Sequence, residues 1–312
     1  MASEEVLHSF TMPAAEAVRN TTLGALAGAG TDLQDTWTWV YTEWAGEDAL
    51  FLWTVFFLIT SSFFWIFNLG FNFLELTGQP AYLLKYRIQL KQKPAVVDRA
   101  VFFKCVRTVL HNQLAIGIPF HYCLLPLLLW RGGLYDRALP SLPYALFDLA
   151  MCSLAIEVGF YYTHRLLHLP YFYRKYHKIH HEWRSPISIS SIYCHPFEYW
   201  LSNLLPLVAG PILMGSHFTT AMFWVMLSTA SGSIAHCGYH LPLLPSNETH
   251  DYHHSQFNQI YGPLGILDTL HGTNRRFKAS VHFLRHFTLT GSTPAYVLVP
   301  DKSSKDEQTV TE

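Results

Sequence analysis

Charge is what this sequence most lacks. Only 14% of its residues are Asp, Glu, Lys or Arg, while 50% are hydrophobic. Soluble domains carry nearer a quarter charged residues, so the deficit points to a membrane protein. The net charge of −1 offers no basic field to a nucleic-acid backbone, which excludes that partner class. Patterned cysteine is missing as well. Cys105, Cys123, Cys152, Cys194 and Cys237 are odd in number, scattered, and set in or near apolar runs. They form neither a disulfide framework nor a CxxC metal site, and read as small apolar side chains in a reducing setting. The opening MASEEVLHSF lacks the basic start and apolar core of a cleavable signal peptide, so insertion is expected from internal spans. No repeat occurs at a solenoid period.

What is present is organised around long apolar runs. Residues 1–36 are rich in Ala, Gly and Thr and predict a mobile arm, followed by an aromatic stretch, Trp37 to Trp44, suited to a membrane interface. Together, 1–48 read as arm and interfacial segment. Ala49 to Phe73 contains no charged residue and is long enough to cross a bilayer core. Leu110 to Trp130 is a second span, interrupted by His111, Pro119 and His121, so 49–143 read as two spans and the loop between them. Tyr144 to Thr163 is a third, carrying Asp148 and Glu157 and ending at His164. The shorter runs Tyr199 to Met214 and Phe218 to Ile234, separated by Gly215–His217, predict a re-entrant hairpin or tilted pair. Residues 288–312 read as a C-terminal tail. The expected fold class is therefore all-α: a polytopic membrane protein with about four transmembrane helices or helical hairpins and a cytosol-facing helical domain. The orientation rests on Lys85, Arg87, Lys91, Lys93, Arg99, Lys104 and Arg107, which make the 74–109 loop basic and cytosolic by the positive-inside rule. In that topology Asn20 of NTT is open to glycosylation, and Asn247 of NET is not.

Of 18 histidines, ten fall in four short groups: HRLLH (His164, His168), HKIHH (His177, His180, His181), HCGYH (His236, His240) and HDYHH (His250, His253, His254). Helical residues three and four apart share a face, so each group is expected to aim its imidazoles at one point. Neutral imidazole is the commonest protein metal ligand. Ten unpartnered imidazoles beside a membrane would otherwise leave many polar groups unsatisfied. Ten nitrogens also exceed the needs of one ion, and the zinc-protease pattern HExxH is absent. Two ions, each with about five histidines and positions left open for dioxygen, make a two-iron oxidant the economical reading.

The neighbouring stretches YYTHRLLH, YHKIHHEW, YCHPFE, IAHCGYHLP and HDYHHSQFNQIYGPLGILDTLHGT resemble the histidine boxes of the membrane fatty acid hydroxylase and sterol desaturase superfamily, over roughly Tyr144 to Thr273. The resemblance implies a multi-pass endoplasmic-reticulum protein whose 144–287 region holds a cytosol-facing di-iron centre. Its ligands would be the ten box histidines. Two departures stand out: Leu169 occupies a position that is His in some relatives, and no terminal dilysine retrieval signal is visible. The implied chemistry uses dioxygen and outside electrons to oxidise a lipid C–H bond, preferably the C4-methyl group of a sterol, with fatty acyl or sphingolipid hydroxylation as alternatives. With no GxGxxG fingerprint, CxxCH haem attachment or fused HPGG segment in the chain, the electrons are expected from NAD(P)H through a cytochrome b5 and its reductase. The basic 74–109 loop is a candidate dock for an acidic donor.

Four further residues are candidates for orienting ligands. Glu157 lies two helical turns before His164 and shares its face, so it is expected to accept an imidazole N–H, or else to be solvated at the interface. Glu182 and Asp251 lie inside boxes, and His195 stands in YCHPFEYW as a possible accessory ligand. His271 reads as structural or substrate-lining. His8, His111, His121, His217, His282 and His286 carry no metal reading. Rival functions remain: a metal transporter would place ligands within the spans, a bis-histidine haem protein would use only pairs, and a non-catalytic signalling or differentiation factor would not need the boxes.

Overall fold

A computed structural model describes residues 30–90 and 96–301. The expectations for the first 29 residues, Lys91, Lys93 and the end of the tail lie outside the described residues. Among those described there is no strand; an isolated bridge joins Arg87 to Tyr239. Three helices are long and apolar enough to cross a membrane: α1 (Ala49–Thr77), α2 (Arg99–Arg131) and α3 (Leu142–Leu167). All three expected spans are there, each longer than its apolar run.

The local chemistry explains the boundaries. Asp48 caps α1 by accepting the Phe51 N–H at 3.0 Å, and Gly78 ends it in the left-handed region at φ 67°. Asp98 caps α2 in the same way, accepting from Val101 N at 3.0 Å. Arg99, Lys104 and Arg107, expected in a loop, therefore ride on the first turns of α2. A wider π-helical turn interrupts α2 at Asn112–Gly117, where Asn112 Nδ2 donates to the carbonyls of Ile192 and Cys194.

The two shorter apolar runs fold as α4 (Leu205–Met214) and α5 (Phe218–His236), joined through Gly215 in the left-handed region at φ 62°. Helix α4 lies along α3 in the most extensive helix pairing among the described residues. Gly210 makes this possible, because a Cβ there would meet the Cα of Cys152 at 2.5 Å. Asp148, buried in α3, accepts a hydrogen bond from Ser216 Oγ at 2.7 Å and so ties the α4–α5 turn to the span. The aromatic stretch before α1 divides: Trp37 is buried against Phe218 and His217, whereas Trp39 and Trp44 are exposed.

Beyond α5 the chain forms α6 (Glu248–Gln256) and α7 (Ile266–His271). Between α3 and α4 lies a 3-10 turn, His177–Glu182. These elements gather at one end of the bundle, where α3 and α5 both stop.

Candidate metal centre

Nine of the ten box imidazoles converge in two groups. His164, His168, His177, His181 and His253 form one, and His180, His236, His250 and His254 the other; within each, the ligating nitrogens lie within 4.8 Å of one another. Two boxes, HKIHH and HDYHH, are divided between the groups, which corrects the expectation that each box serves one point. His250 and His254 of α6 differ by about 40° around the helix and face one group, while His253, about 100° from His254, faces the other. In the 3-10 turn, His177 and His181 join the first group and His180 the second.

Inside each group the Nε2 atoms crowd together. In the five-membered group His177 Nε2 stands 3.2 Å from His164 Nε2, 2.9 Å from His168 Nε2 and 3.0 Å from His181 Nε2. In the four-membered group His250 Nε2 is 2.8 Å from His236 Nε2 and 3.1 Å from His254 Nε2. Ligands about 2.1 Å from one ion and at right angles would be about 3.0 Å apart.

The outward nitrogens fix the tautomers. His164 Nδ1 faces the Tyr261 carbonyl at 2.9 Å, His253 Nδ1 that of Gln259 at 2.7 Å, and His177 Nδ1 the Glu198 carboxylate at 2.8 Å. His180, His236 and His254 place Nδ1 on the carbonyls of Tyr193, Gly232 and Trp183. An Nδ1–H donated outward leaves Nε2 a bare lone pair, so where both partners are held this way, as in His164–His177 at 3.2 Å and His180–His236 at 3.4 Å, the two Nε2 atoms repel unless a cation lies between them. His253 Nε2 is moreover buried with no hydrogen-bond partner. The donor set thus fits a metal ion in each group.

Electrostatics agree with that fit. Burial pushes His180 and His253 down to about 4. Burial and then neighbouring imidazoles push His177, His181, His250 and His254 well below the ordinary value, so these are neutral, ligand-ready rings at physiological pH. Glu198 is buried and its carboxyl is pushed up by that burial; a cation across His177 supplies the compensating charge that would keep it ionised.

Other expected residues sit elsewhere. His240 belongs to neither group: α5 ends at His236 and Gly238 turns the chain at φ 72°, so the i+4 relation fails. Its Nε2 donates to the Phe287 carbonyl at 2.7 Å and its Nδ1 faces Glu248 at 3.4 Å. Glu157 accepts no imidazole proton; its two oxygens take the backbone N–H groups of Leu264 and Leu267, each at 2.8 Å. Glu182 pairs with Lys104 at 2.8 Å and accepts from Tyr193 OH. His195 caps a short helical turn by accepting from Phe197 N. Asp251 accepts from Gln89 Nε2 at 2.8 Å, and His271 bonds Tyr162 OH at 3.1 Å.

Sequence reasoning missed Glu198 and Asp268. Glu198 follows Pro196 in the first turn of a helix, where an acid ordinarily reads as a dipole partner. Asp268 accepts from Tyr261 N at 2.9 Å, Gly262 N at 2.7 Å and Thr273 Oγ1 at 2.5 Å, and so shapes the loop whose carbonyls hold His164 and His253. Its only signal is a lone acid within ILDTL, whose other residues are apolar save Thr269.

A cavity of about 580 Å³ runs from this centre into the bundle. His164, His177, His180, His236 and His250 line one end, and Trp53 and Leu128 the other, with Phe160, Leu207 and Trp224 along its walls. Along α1 it reaches from Trp53 to Phe64, about 16 Å at the helical rise.

The model of the fatty acid hydroxylase family matches residues 149–273, the stretch that carries the boxes. The chain is similar to Fatty acid hydroxylase domain-containing protein 2 of Homo sapiens, 44% identical over 279 residues that cover 88% of this chain and 82% of that one. It is similar to Fatty acid hydroxylase ahd1 of Mycosarcoma maydis, 34% identical over 211 residues, covering 67% of this chain and 54% of that one. With Methylsterol monooxygenase 2-2 of Arabidopsis thaliana it shares 29% identity over 234 residues, 71% of this chain and 85% of the other. No solved structure matches.

Proposed function

The chain belongs to the fatty acid hydroxylase family, whose members are hydroxylase- and monooxygenase-type oxidoreductases, and from that premise we propose that it is a membrane di-iron monooxygenase acting on the C4-methyl group of a sterol. The observation that carries this reading is the cavity: apolar walls of lipid length end on imidazoles of both groups. The similarity to a methylsterol monooxygenase supports the sterol, and that to a fatty acid hydroxylase favours acyl hydroxylation as the second reading.

Two irons held by the nine imidazoles would supply dioxygen activation. The net reaction takes R–H, O2, two electrons and two protons to R–OH and water. The chain's own part is to hold the ligands, position the lipid and exclude water. Outward Nδ1–H bonds keep the Nε2 atoms of His164, His177, His180, His236, His253 and His254 aimed inward, and Glu198 strengthens His177 as a donor. Trp53, Phe56 and Trp224 wall the lipid channel, which keeps the reacting carbon in a dry pocket. Electrons come from NAD(P)H through a cytochrome b5 and its reductase, and the protein works in the endoplasmic-reticulum membrane with this centre toward the cytosol.

A lipid profile of cells lacking the gene tests the proposal. Accumulated 4-methylsterols, returned to normal by the wild-type chain and not by His177→Ala, are expected. A flat sterol profile with depleted 2-hydroxylated sphingolipids would replace the sterol with an acyl substrate, and a profile unchanged in both would refute the oxygenase reading.

A further inference from the structure

Helix α7 exposes apolar side chains although it lies outside the three spans. Ile266 is 52% and Leu270 76% exposed, one helical turn apart on one face. An apolar face left to water would be costly, so its neighbours decide what covers it. Helix α7 rests on the last turns of α3: the His271 ring stacks on Tyr161 at 5.2 Å, and Leu267 N donates to Glu157. On α3 itself, Phe147, Leu154, Val158, Tyr162 and Leu166 are exposed along one stripe, the stripe a transmembrane helix turns to lipid. Tyr162 of that stripe bonds His271 of α7 at 3.1 Å, which joins the two exposed apolar surfaces.

Leu264, just before α7, belongs to both surfaces. It lines the cavity and is also 51% exposed. The backbone around it is clamped rather than loose. Glu157 holds Leu264 N and Leu267 N, and Gly262 packs so tightly on that carboxylate that a Cβ would meet its oxygens at 2.9 Å. A fixed backbone carrying one apolar side chain between bilayer and cavity is the construction of a doorway.

We infer that α7 is seated in the membrane's interfacial region and that the edge of the cavity at Leu264, beside the α3–α7 contact, is where a bilayer lipid enters. The inference rests on the lipid-oxidising reading above and locates the route its substrate takes. No soluble carrier is needed: the lipid passes laterally from the leaflet, and its reacting end meets His164, which the same loop holds through Tyr261.

The test is photolabelling of the metal-loaded full chain in phosphatidylcholine vesicles. One arm contains a diazirine sterol and the other a diazirine-tailed phosphatidylcholine, with labelled residues mapped by mass spectrometry. Both probes are expected to label residues 264–270. The probe of the substrate's class is expected to label Phe57 and Leu207 in the cavity. Leu264→Trp should slow cavity labelling and Leu264→Ala should speed it, each with metal content and labelling of α7 unchanged. Cavity labelling at wild-type rate in both variants, no labelling of 264–270 by either probe, or a wild-type cavity that neither probe reaches would overturn the inference. Normal labelling without lipid oxidation would overturn the oxygenase reading alone.

Discussion

The two imidazole groups are made of one side chain and held in two ways. In the four-membered group every recorded outward contact is to a backbone carbonyl, that of Gly232 lying within the same helix as His236. The five-membered group adds a carboxylate, that of Glu198 behind His177, and takes the carbonyls of Tyr261 and Gln259 from a loop that Asp268 and Glu157 shape. In the four-membered group only the His236 contact is secured when its helix forms, since Trp183 lies 71 residues from His254; the five-membered group requires in addition that the 259–268 loop dock. Each group can therefore be disturbed separately.

Removing a ligand should have the largest effect. His177→Ala and His254→Ala are each expected to lower metal content and abolish turnover, the first by emptying the five-membered group and the second the other; elemental analysis and product assay check both. Next, Glu198→Gln removes the charge behind His177 and should weaken metal binding about 10–100-fold, read by chelator competition. That loss should fall on the five-membered group.

Asp268→Asn places an amide N–H against backbone donors and frees the loop, so a smaller loss from the same group is expected, with the other untouched. Acid sharpens the comparison differently. His180 and His253 belong to different groups, and both titrate at about 4 when folded against roughly 6.5 when unfolded. The unfolded metal-free chain binds more protons between those values, so its melting temperature should be level above pH 6.5 and fall from there toward 4. Both groups contribute, and a melting temperature that rose with acid would contradict their burial as neutral rings. The smallest effect on metal belongs to His240→Gln, which should leave both groups loaded and lower only thermal stability, since His240 joins Glu248 to the Phe287 backbone.

Much of this was legible before any coordinates. Runs such as Ala49 to Phe73 identify spans because backbone groups in lipid must bond within the helix, and that rule leaves a mark on composition. The nine converging imidazoles were legible because imidazole at helical spacing is costly to bury without purpose. His240 shows the limit: the four-residue spacing holds only while the helix continues, and α5 stops at His236. Glu157 shows another. Its seven-residue spacing from His164 says nothing of its partner, the 264–267 backbone, which is fixed by tertiary docking. Backbone carbonyls behind the ligands carry no sequence signal at all, and neither does the division of one box between two groups.

The most direct measurement is the iron content of the purified full chain after anaerobic loading and removal of free metal. Two ions per chain, one for each imidazole group, is the expected result. One ion or none would contradict the two-site centre.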